Sequence, residues 1–161
     1  MAEKTERELQ RTLAFLEEET LGLTAGLVLI SFKDGAEPLF LALESGKSRY
    51  TFPGGRMNTG ETLLETAVRE TREEILGIEE IDFPWGSDSK RTRIYGKQEQ
   101  RQAVYFLART DQSDLEVAFN FSKERQEHRC CHWLTAEQAR TRLKKRLLPL
   151  LDWACDKIHE T

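Results

Sequence analysis

The sequence predicts a mixed α/β domain in which helices pack on a largely central sheet. Short apolar, β-branched segments suited to strands alternate with longer segments whose apolar residues recur at helical spacing. The 161 residues contain no internal repeat, low-complexity tract or linker, so we expect a single domain over residues 1–161 with a sizeable core.

Composition limits the classes of partner. Hydrophobic residues make up 39% of the chain and charged residues 32%, which is ordinary for a globular protein. The net charge of −4 argues against bulk electrostatic binding, so we expect no stable nucleic-acid partner. The longest apolar runs, GLVLISF and AVYFLA, are too short to span a membrane, and the charged start MAEKTEREL is unlike a secretory signal. We expect a cytoplasmic protein, and the sequence carries no signal for its oligomeric state.

The first third of the chain predicts a helix, a hairpin and a loop. Leu9, Leu13 and Leu16 lie on one helical stripe, which predicts an accessory N-terminal helix over residues 1–20 lying on the main body. The segments LTAGLVLISFKDG and EPLFLALESG predict two strands joined at a turn over residues 33–36. SRYTFPGGRMNTGE is a loop because a proline and several glycines interrupt it.

The second half of the chain predicts three further strands and two helices. TRIYG and QAVYFLAR are strands separated by the polar loop KQEQR, and CCHWLT is another strand. Thr135 begins a helix through a Thr-x-x-Gln capping box to Gln138. The last helix contains LLPLLDWACDKI, where Pro149 is tolerable only near the first turn.

The cysteines do not form a disulfide framework, because there are only three and two of them are adjacent. A zinc site could use Cys130, Cys131 and either His128 or His132. Consecutive residues of a strand point to opposite faces, however, so Cys130 and Cys131 would not converge on one ion. We therefore expect buried or half-buried reduced thiols.

The stretch GETLLETAVRETREE, residues 60–74, predicts a helix that ends near Gly77, where a left-handed glycine can cap it. One side is apolar and should be buried; it consists of Leu64, Ala67, Val68, Thr71 and Ile75. A second side carries residues that can form solvated ion pairs, each worth ~0.2–0.5 kcal/mol; they are Glu65, Arg69 and Arg72.

The third side of this helix concentrates negative charge in Glu70, Glu73 and Glu74. Like charges at these spacings repel, and Arg69, which can reach Glu73, cannot neutralise all three. Such a cluster suits Mg²⁺, although an exposed acidic face without a ligand has the same spacing. The preceding FPGGRMNTGE loop favours the cation, because glycines such as Gly54 and Gly55 let a backbone approach phosphate closely.

These residues resemble the signature of the Nudix hydrolase family, which runs Gly, five residues, Glu, seven residues, Arg-Glu-apolar-x-Glu-Glu-x-Gly-apolar. In register with it are Gly55, Glu61, Arg69, Glu70, Glu73 and Glu74. Two departures occur within the box at residues 55–77: Thr71 occupies the apolar position, and the closing glycine, Gly77, comes one residue late. Both lie outside the carboxylate set.

The resemblance implies an α/β/α sandwich with a mixed central sheet and a central loop–helix–loop motif. It also implies hydrolysis of a nucleoside diphosphate linked to another moiety, dependent on Mg²⁺ or Mn²⁺. Glu70, Glu73 and Glu74 would bind the metal, while Glu61 and Arg69 would support the box geometry, Arg69 by orienting a carboxylate. The general base would be Glu74 or Glu127, and we count Glu70 and Arg69 with the catalytic group.

The segment QEHRCCHWLT resembles the corresponding EH…WL segment of the asymmetrical dinucleoside tetraphosphate hydrolases of this family. On that match Glu127 would lie near the metals and Tyr105 could stack on a base, although core packing is the alternative for Tyr105. The expected substrate contacts also include Gly54, Gly55, Arg49 and Arg56. Further basic residues that could hold a polyphosphate are Arg91, Arg93, Lys97 and Arg101, whereas we expect Lys144, Lys145 and Arg146 to be solvated.

Three functions stay open at this point. The first is pyrophosphohydrolysis of dinucleoside polyphosphates or related nucleotides. The second is the same chemistry on 5′-triphosphate RNA or free (d)NTPs. The third is a Nudix-fold binding module without catalysis, which the presence of all four box glutamates disfavours.

Overall fold

The structure is a computed structural model, and it describes residues 23–32, 35, 37–44, 49–95, 100–112, 115–117 and 130–160. The accessory helix expected over residues 1–20, Lys97 and the candidate base Glu127 lie outside these ranges. The side chains of Arg93 and Arg101 are also outside the description, although both residues belong to described strands.

Nine strands form in the described part of the chain. The two hairpin strands, the two strands after the acidic helix and the CCHWLT strand all form, although β6 begins three residues before the predicted TRIYG segment and β7 begins two residues before QAVYFLAR. The prediction of SRYTFPGGRMNTGE as a loop is wrong in part, because β3 and β4 form within it. In chain order the strands are β1 (Thr24–Ser31), β2 (Leu39–Glu44), β3 (Tyr50–Thr51), β4 (Gly54–Arg56), β5 (Ile75–Leu76), β6 (Ser89–Tyr95), β7 (Gln100–Arg109), β8 (Glu116–Val117) and β9 (Cys130–Thr135).

Seven of these strands belong to one mixed sheet with the order β3-β2-β1-β7-β6. Strand β1 is antiparallel to β2 and β4 but parallel to β7, and β9 adds to β2 in antiparallel register. The glycine-rich strand β4 lies against the first residues of β1, with Gly54 opposite Gly26 and Gly55 opposite Ala25. Strands β5 and β8 form a separate two-stranded pair.

Three α-helices lie in the described residues: α1 (Leu63–Glu74), α2 (Ala136–Arg142) and α3 (Leu148–His159), the last preceded by a 3₁₀ turn at Lys145–Leu147. Thr135 and Gln138 form both hydrogen bonds of the expected capping box. Pro149 occupies the first turn of α3, where its missing N–H has no intrahelical acceptor to bond.

The helices cover both faces of the sheet. Alternate residues of β1 separate two cores: Leu27 and Leu29 pack with Ala67 of α1, whereas Val28 and Ile30 pack with the side of the sheet that carries α2 and α3. This layering confirms the expected α/β/α sandwich with a mixed sheet. No helix among the described residues is long and apolar enough to cross a membrane.

The acidic helix is shorter than the sequence predicts. It begins after Thr62 rather than near Gly60, and it ends at Glu74, where the chain continues as an extended strand. Ile75 and Leu76 leave the helix because they pair with Val117 and Glu116 of β8. Gly77 adopts the expected positive φ of 95°, but it follows β5 and does not cap the helix.

Candidate active site at the acidic helix

The start of α1 is stabilised by a capping box. The Thr62 hydroxyl accepts a hydrogen bond from the Glu65 backbone N–H at 3.1 Å, and the Glu65 carboxylate accepts one from the Thr62 N–H at 3.3 Å. Such a cap satisfies two backbone donors that have no partner inside the helix. Glu65 therefore stabilises the first turn of the helix. Its expected pairing with Arg69 is wrong, because the Arg69 guanidinium is held by three other carboxylates.

The buried side of α1 differs in part from the expected stripe. Ala67 and Thr71 are fully buried, but Leu64 and Val68 are only partly buried. Thr66 is fully buried as well, and its hydroxyl lies 2.9 Å from the Thr62 carbonyl and 3.2 Å from the Glu61 carboxylate. The sequence pattern missed Thr66 because a polar residue is not expected in an apolar stripe.

Arg69 connects the loop before α1 to the acidic side of the helix. Its Nε and Nη2 donate to the two Glu61 oxygens at 2.6 and 3.0 Å, which is a bidentate pair of high directional specificity. Its Nη1 donates to Glu70 at 2.9 Å and to Glu73 at 3.1 Å, and Nη2 also donates to the Arg56 carbonyl at 2.9 Å. One guanidinium thus fixes the positions of two predicted metal ligands relative to the loop.

The ion pair with Arg69 holds the pKa of Glu61 at about 2, and the Asn58 N–H also favours the charged carboxylate. The pKa of Arg69 is raised in turn, chiefly by its hydrogen bonds to Glu61. Both groups are therefore charged at neutral pH. This geometry is what the predicted supporting role of Glu61 and Arg69 requires.

We expect Glu61→Gln to remove part of the pH dependence of folding stability. Because the pKa of Glu61 falls from 4.5 to about 2 on folding, its ionisation stabilises the native state fully above pH 4.5. That stabilisation is lost as the pH falls toward 2. Urea unfolding of wild type and variant should give free energies that differ most at pH 7 and converge toward pH 2. Glu65→Gln is the matched control, since glutamine also completes a capping box; a pH-independent gap for Glu61→Gln would contradict the assignment.

Gly55 and Glu70 are in direct contact. A Cβ atom at Gly55 would overlap the Glu70 carboxyl group, so a glycine is needed for this carboxyl to lie on β4. Burial raises the pKa of Glu70; Arg69 opposes this shift, and the neighbouring charges of Glu73 and Glu74 add to it. Glu70 is therefore a carboxyl whose negative charge is only partly compensated by the protein.

Gly54 and Glu74 form the second contact between the loop and the helix. The Gly54 N–H donates to the Glu74 carboxylate at 3.3 Å. A side chain at Gly54 would collide with the backbone of Ala25 and Gly26, and one at Gly26 would collide with the Pro53 carbonyl and the Tyr105 ring. Three glycines thus allow β1, β4 and α1 to approach closely. Gly26 was not identified from the sequence, although a glycine inside a strand often marks such an approach.

The three helix glutamates fit Mg²⁺ or Mn²⁺ by their chemistry. They supply only oxygen donors, which these hard cations prefer, and burial together with the neighbouring charges of Glu73 and Glu74 raises the pKa of Glu70. Their oxygen atoms are farther apart than the ligands of a single ion. The Glu73 carboxylate accepts a hydrogen bond from Arg69, whereas the Glu74 carboxylate accepts one from the Gly54 N–H. Mg²⁺ needs only one or two carboxylates per ion when water and substrate phosphates complete its shell.

A groove of about 660 Å³ runs beside the acidic helix. Its apolar part is formed by Leu64, Val68 and Phe83, and Arg69 and Glu73 lie on its border. This volume is within the range of small-molecule sites. The two partly buried residues of the expected stripe, Leu64 and Val68, therefore line this groove.

Tyr105 lies in the core, with an exposed fraction of 4% and an edge-to-face contact to Phe52 at 6.2 Å between ring centroids. This position matches the core-packing alternative, because a ring buried to this extent is not available to stack on a base. Burial raises the pKa of Tyr105, the Arg146 guanidinium beside its hydroxyl opposes the shift, and the charge of Glu74 adds to it.

The expectation that residues 144–146 form a solvated run is wrong for two of its members. Arg146 extends inward to the Tyr105 hydroxyl, and its Nη1 is buried without a hydrogen-bond partner among the described residues. Lys144 is half-buried, and burial lowers its pKa. Only Lys145 is exposed. The sequence did not predict the burial of Lys144 and Arg146, because charge alone does not show which side chains point toward the core.

The remaining basic candidates are exposed where they are described. Arg56 follows Gly54 and Gly55 on β4, and its carbonyl, not its side chain, contacts Arg69. Arg49 is also exposed, as is Arg91, whose guanidinium donates to Gln102 at 3.2 Å. Arg56 is adjacent to the carboxylates through the loop, and a role in phosphate binding stays a prediction for all three.

Comparison with known proteins agrees with this arrangement. The sequence model of the NUDIX domain family matches residues 20–154 of this chain. The asymmetrical bis(5′-nucleosyl)-tetraphosphatase of Mus musculus is 35% identical over 104 residues, which is 64% of this chain and 67% of that protein.

Solved structures show the same fold. A C. elegans Ap4A hydrolase in a binary complex superposes with a TM-score of 0.72 at 23% identity, over 86% of this chain and 98% of that one. The NUDIX domain of Shewanella oneidensis NrtR complexed with ADP ribose gives 0.65 at 14% identity, over 84% and 87%. The family match over residues 20–154, together with the glycine-backed acidic helix, shows that this chain belongs to the NUDIX family and is a Nudix hydrolase.

Proposed function

We propose that the chain is a divalent-metal-dependent pyrophosphohydrolase that cleaves a phosphoanhydride bond in a dinucleoside polyphosphate. The observation that carries the reaction class is the position of Glu70, whose carboxyl lies on Gly55 and is held by Arg69. The substrate class is supported by the similarity to the asymmetrical bis(5′-nucleosyl)-tetraphosphatase of Mus musculus.

Glu70, Glu73 and Glu74 would hold Mg²⁺ or Mn²⁺ at the edge of β4. A divalent cation held there would neutralise charge on the phosphate oxygens and promote attack of water on phosphorus. Arg69 keeps Glu70 and Glu73 in place through its fixed pair with Glu61. Glycines at positions 54 and 55 let β4 lie directly against the start of β1 and the Glu70 carboxyl group, which places that carboxyl on the strand.

Proton removal from the attacking water is assigned to a carboxylate. Glu74 is partly buried and is oriented by the Gly54 N–H, so it is the candidate within the described residues. Glu127 is the other candidate and lies outside them. Positive charge for the rest of the polyphosphate would come from the exposed Arg56 and Arg49 near the loop.

A substrate panel with product identification tests this proposal. The panel contains diadenosine tetraphosphate, NTPs, ADP-ribose and 5′-triphosphate RNA. We expect the highest kcat/KM for diadenosine tetraphosphate, with ATP and AMP as products, and loss of activity in EDTA that Mg²⁺ or Mn²⁺ restores. Chelator-insensitive hydrolysis would contradict the metal mechanism. A clear preference for triphosphate RNA or NTPs would contradict the substrate class while leaving the reaction class intact.

A further inference from the structure

We propose that Glu44, Cys130 and His132 form a second cation site, suited to a thiophilic transition metal such as Zn²⁺ and separate from the carboxylate helix. The Cys130 Sγ lies 3.0 Å from Glu44 Oε2 and 2.9 Å from His132 Nε2, and the last two atoms are 3.4 Å apart. In the part of the chain that the structure describes, these are the three residues that bring metal-ligand atoms within 4.8 Å of one another.

The register of two strands builds this cluster. In the antiparallel pair of β2 and β9, Glu44 is directly opposite Cys130, and His132 is two residues further along β9. Residues i and i+2 of a strand project from the same face, so the cysteine and the histidine lie side by side. Ala42 is opposite His132 and contributes only a methyl group, which leaves room for the imidazole to lie toward Glu44.

The alternation of side-chain direction along β9 also bears on the expectation that the cysteines are reduced thiols without a metal. It does separate Cys130 from Cys131, whose Sγ turns the other way and donates to the Leu115 carbonyl at 3.4 Å. It does not separate Cys130 from His132. A cysteine, a histidine and a carboxylate from the opposite strand thus converge where two adjacent cysteines could not.

The imidazole is oriented by a neighbour outside the cluster. Tyr50 of β3 pairs with Glu44, and its ring meets the His132 ring edge-to-face at 5.6 Å. The Glu44 and His132 side chains are 18% and 40% exposed, so the cluster is partly shielded but open to an ion from solvent. A ring held by a packing contact is a more organised ligand than one on a free loop.

The donor set favours a different metal from the one expected at the helix. Thiolate and imidazole ligands select Zn²⁺ and similar ions, whereas Mg²⁺ prefers oxygen alone. Tetrahedral bonds of about 2.0–2.3 Å place donor atoms about 3.3–3.6 Å apart, so the present spacing needs only a small expansion. Three protein ligands leave the fourth position to water or another ligand, as in zinc sites that exchange ligands.

The cluster lies on the opposite face of the sheet from α1. Cys130 and His132 share their face of β9 with Leu134, which packs in the core beneath α2 and α3. The helix glutamates belong to the other side, where Ala67 of α1 packs. Binding at one site can therefore be measured without removing ligands from the other.

Cobalt titration of the full-length protein, reduced and freed of metal, tests the site. Co²⁺ bound to a thiolate gives a charge-transfer absorption in the near ultraviolet that carboxylate sites do not give. We expect one equivalent of this signal, displaced by Zn²⁺, and its loss in Cys130→Ser. His132→Ala should weaken Co²⁺ binding by at least the roughly 10–100-fold seen when a metal site loses only an outer-shell partner, because it removes a direct ligand.

Three matched variants make the result specific. Cys131→Ser and Cys155→Ser should keep the signal, since neither thiol belongs to the cluster. Glu73→Gln should also keep it, which separates this site from the proposed hydrolase site. Circular dichroism must show native folding for each variant compared. Absence of the thiolate signal from folded wild type, or a signal that survives in folded Cys130→Ser, would overturn the proposal and leave the cluster a hydrogen-bonded triad.

Discussion

Glu73→Gln is expected to lower kcat by about 10²–10⁴-fold while leaving the fold intact. Loss of one metal-binding carboxylate removes several kcal/mol of transition-state stabilisation, and each 1.4 kcal/mol corresponds to about tenfold in rate. The side chain of Glu73 is 58% exposed, so a neutral amide of the same size disturbs no core packing. Arg69 keeps its position because Glu61 and Glu70 still hold it.

Glu65→Gln is the control for this prediction. Glu65 is another exposed glutamate of the same helix, and glutamine retains the capping box at its position. Initial rates at increasing Mg²⁺ should show near-normal turnover for the control and a large loss for Glu73→Gln, with equal melting temperatures. Near-normal turnover of Glu73→Gln at all Mg²⁺ concentrations would remove Glu73 from the metal site.

Much of the sheet could be predicted because its signals are local. The apolar runs of β1 and β2 are close together in the chain and pair in antiparallel register. Both strands are buried almost throughout, as expected for apolar runs in a sheet covered on both faces. The spacing of the box likewise predicts Glu70, Glu73 and Glu74 on one side of a helix, and all three residues belong to α1.

The two ends of the acidic helix differ in how far the sequence can predict them. Thr62 and Glu65 form a Thr-x-x-Glu capping box, the same kind of pattern that correctly located the helix after Thr135, so this start was readable. The end at Glu74 could not be predicted, because Ile75 and Leu76 form a strand paired with residues 116–117, some forty positions away. Pairing at that separation has no local signal.

Contacts between distant segments account for the remaining differences. Arg146 contacts Tyr105 in the core, and Glu44 on β2 contacts Cys130 on the neighbouring β9. The two residues of each pair are far apart in the sequence, so no local pattern relates them. Only the register of the strands determines which side chains are opposite one another, and a shift of one residue would place Glu44 on the other face. Such sites follow from the fold rather than from a motif.

Gly55→Ala is expected to destabilise the protein by ~1–3 kcal/mol, the usual effect of overpacking, and to lower kcat/KM at least tenfold. The added methyl would occupy the position of the Glu70 carboxyl, which must then leave β4 and lose its alignment with Arg69. The φ angle of Gly55 is not among the positive values, so alanine is compatible with its backbone conformation. The effect is therefore assigned to the carboxyl and not to the main chain.

A double-mutant cycle separates these causes through stability alone, since Glu70→Ala removes the proposed metal ligand and activity is uninformative there. If the methyl collides with the Glu70 carboxyl, Gly55→Ala should cost much less in the Glu70→Ala background than in wild type. The expected coupling is about 1–3 kcal/mol from urea unfolding, within the range for residues in direct contact. Equal costs in the two backgrounds would show that the glycine is required for another reason, and the carboxyl would then not owe its position to Gly55.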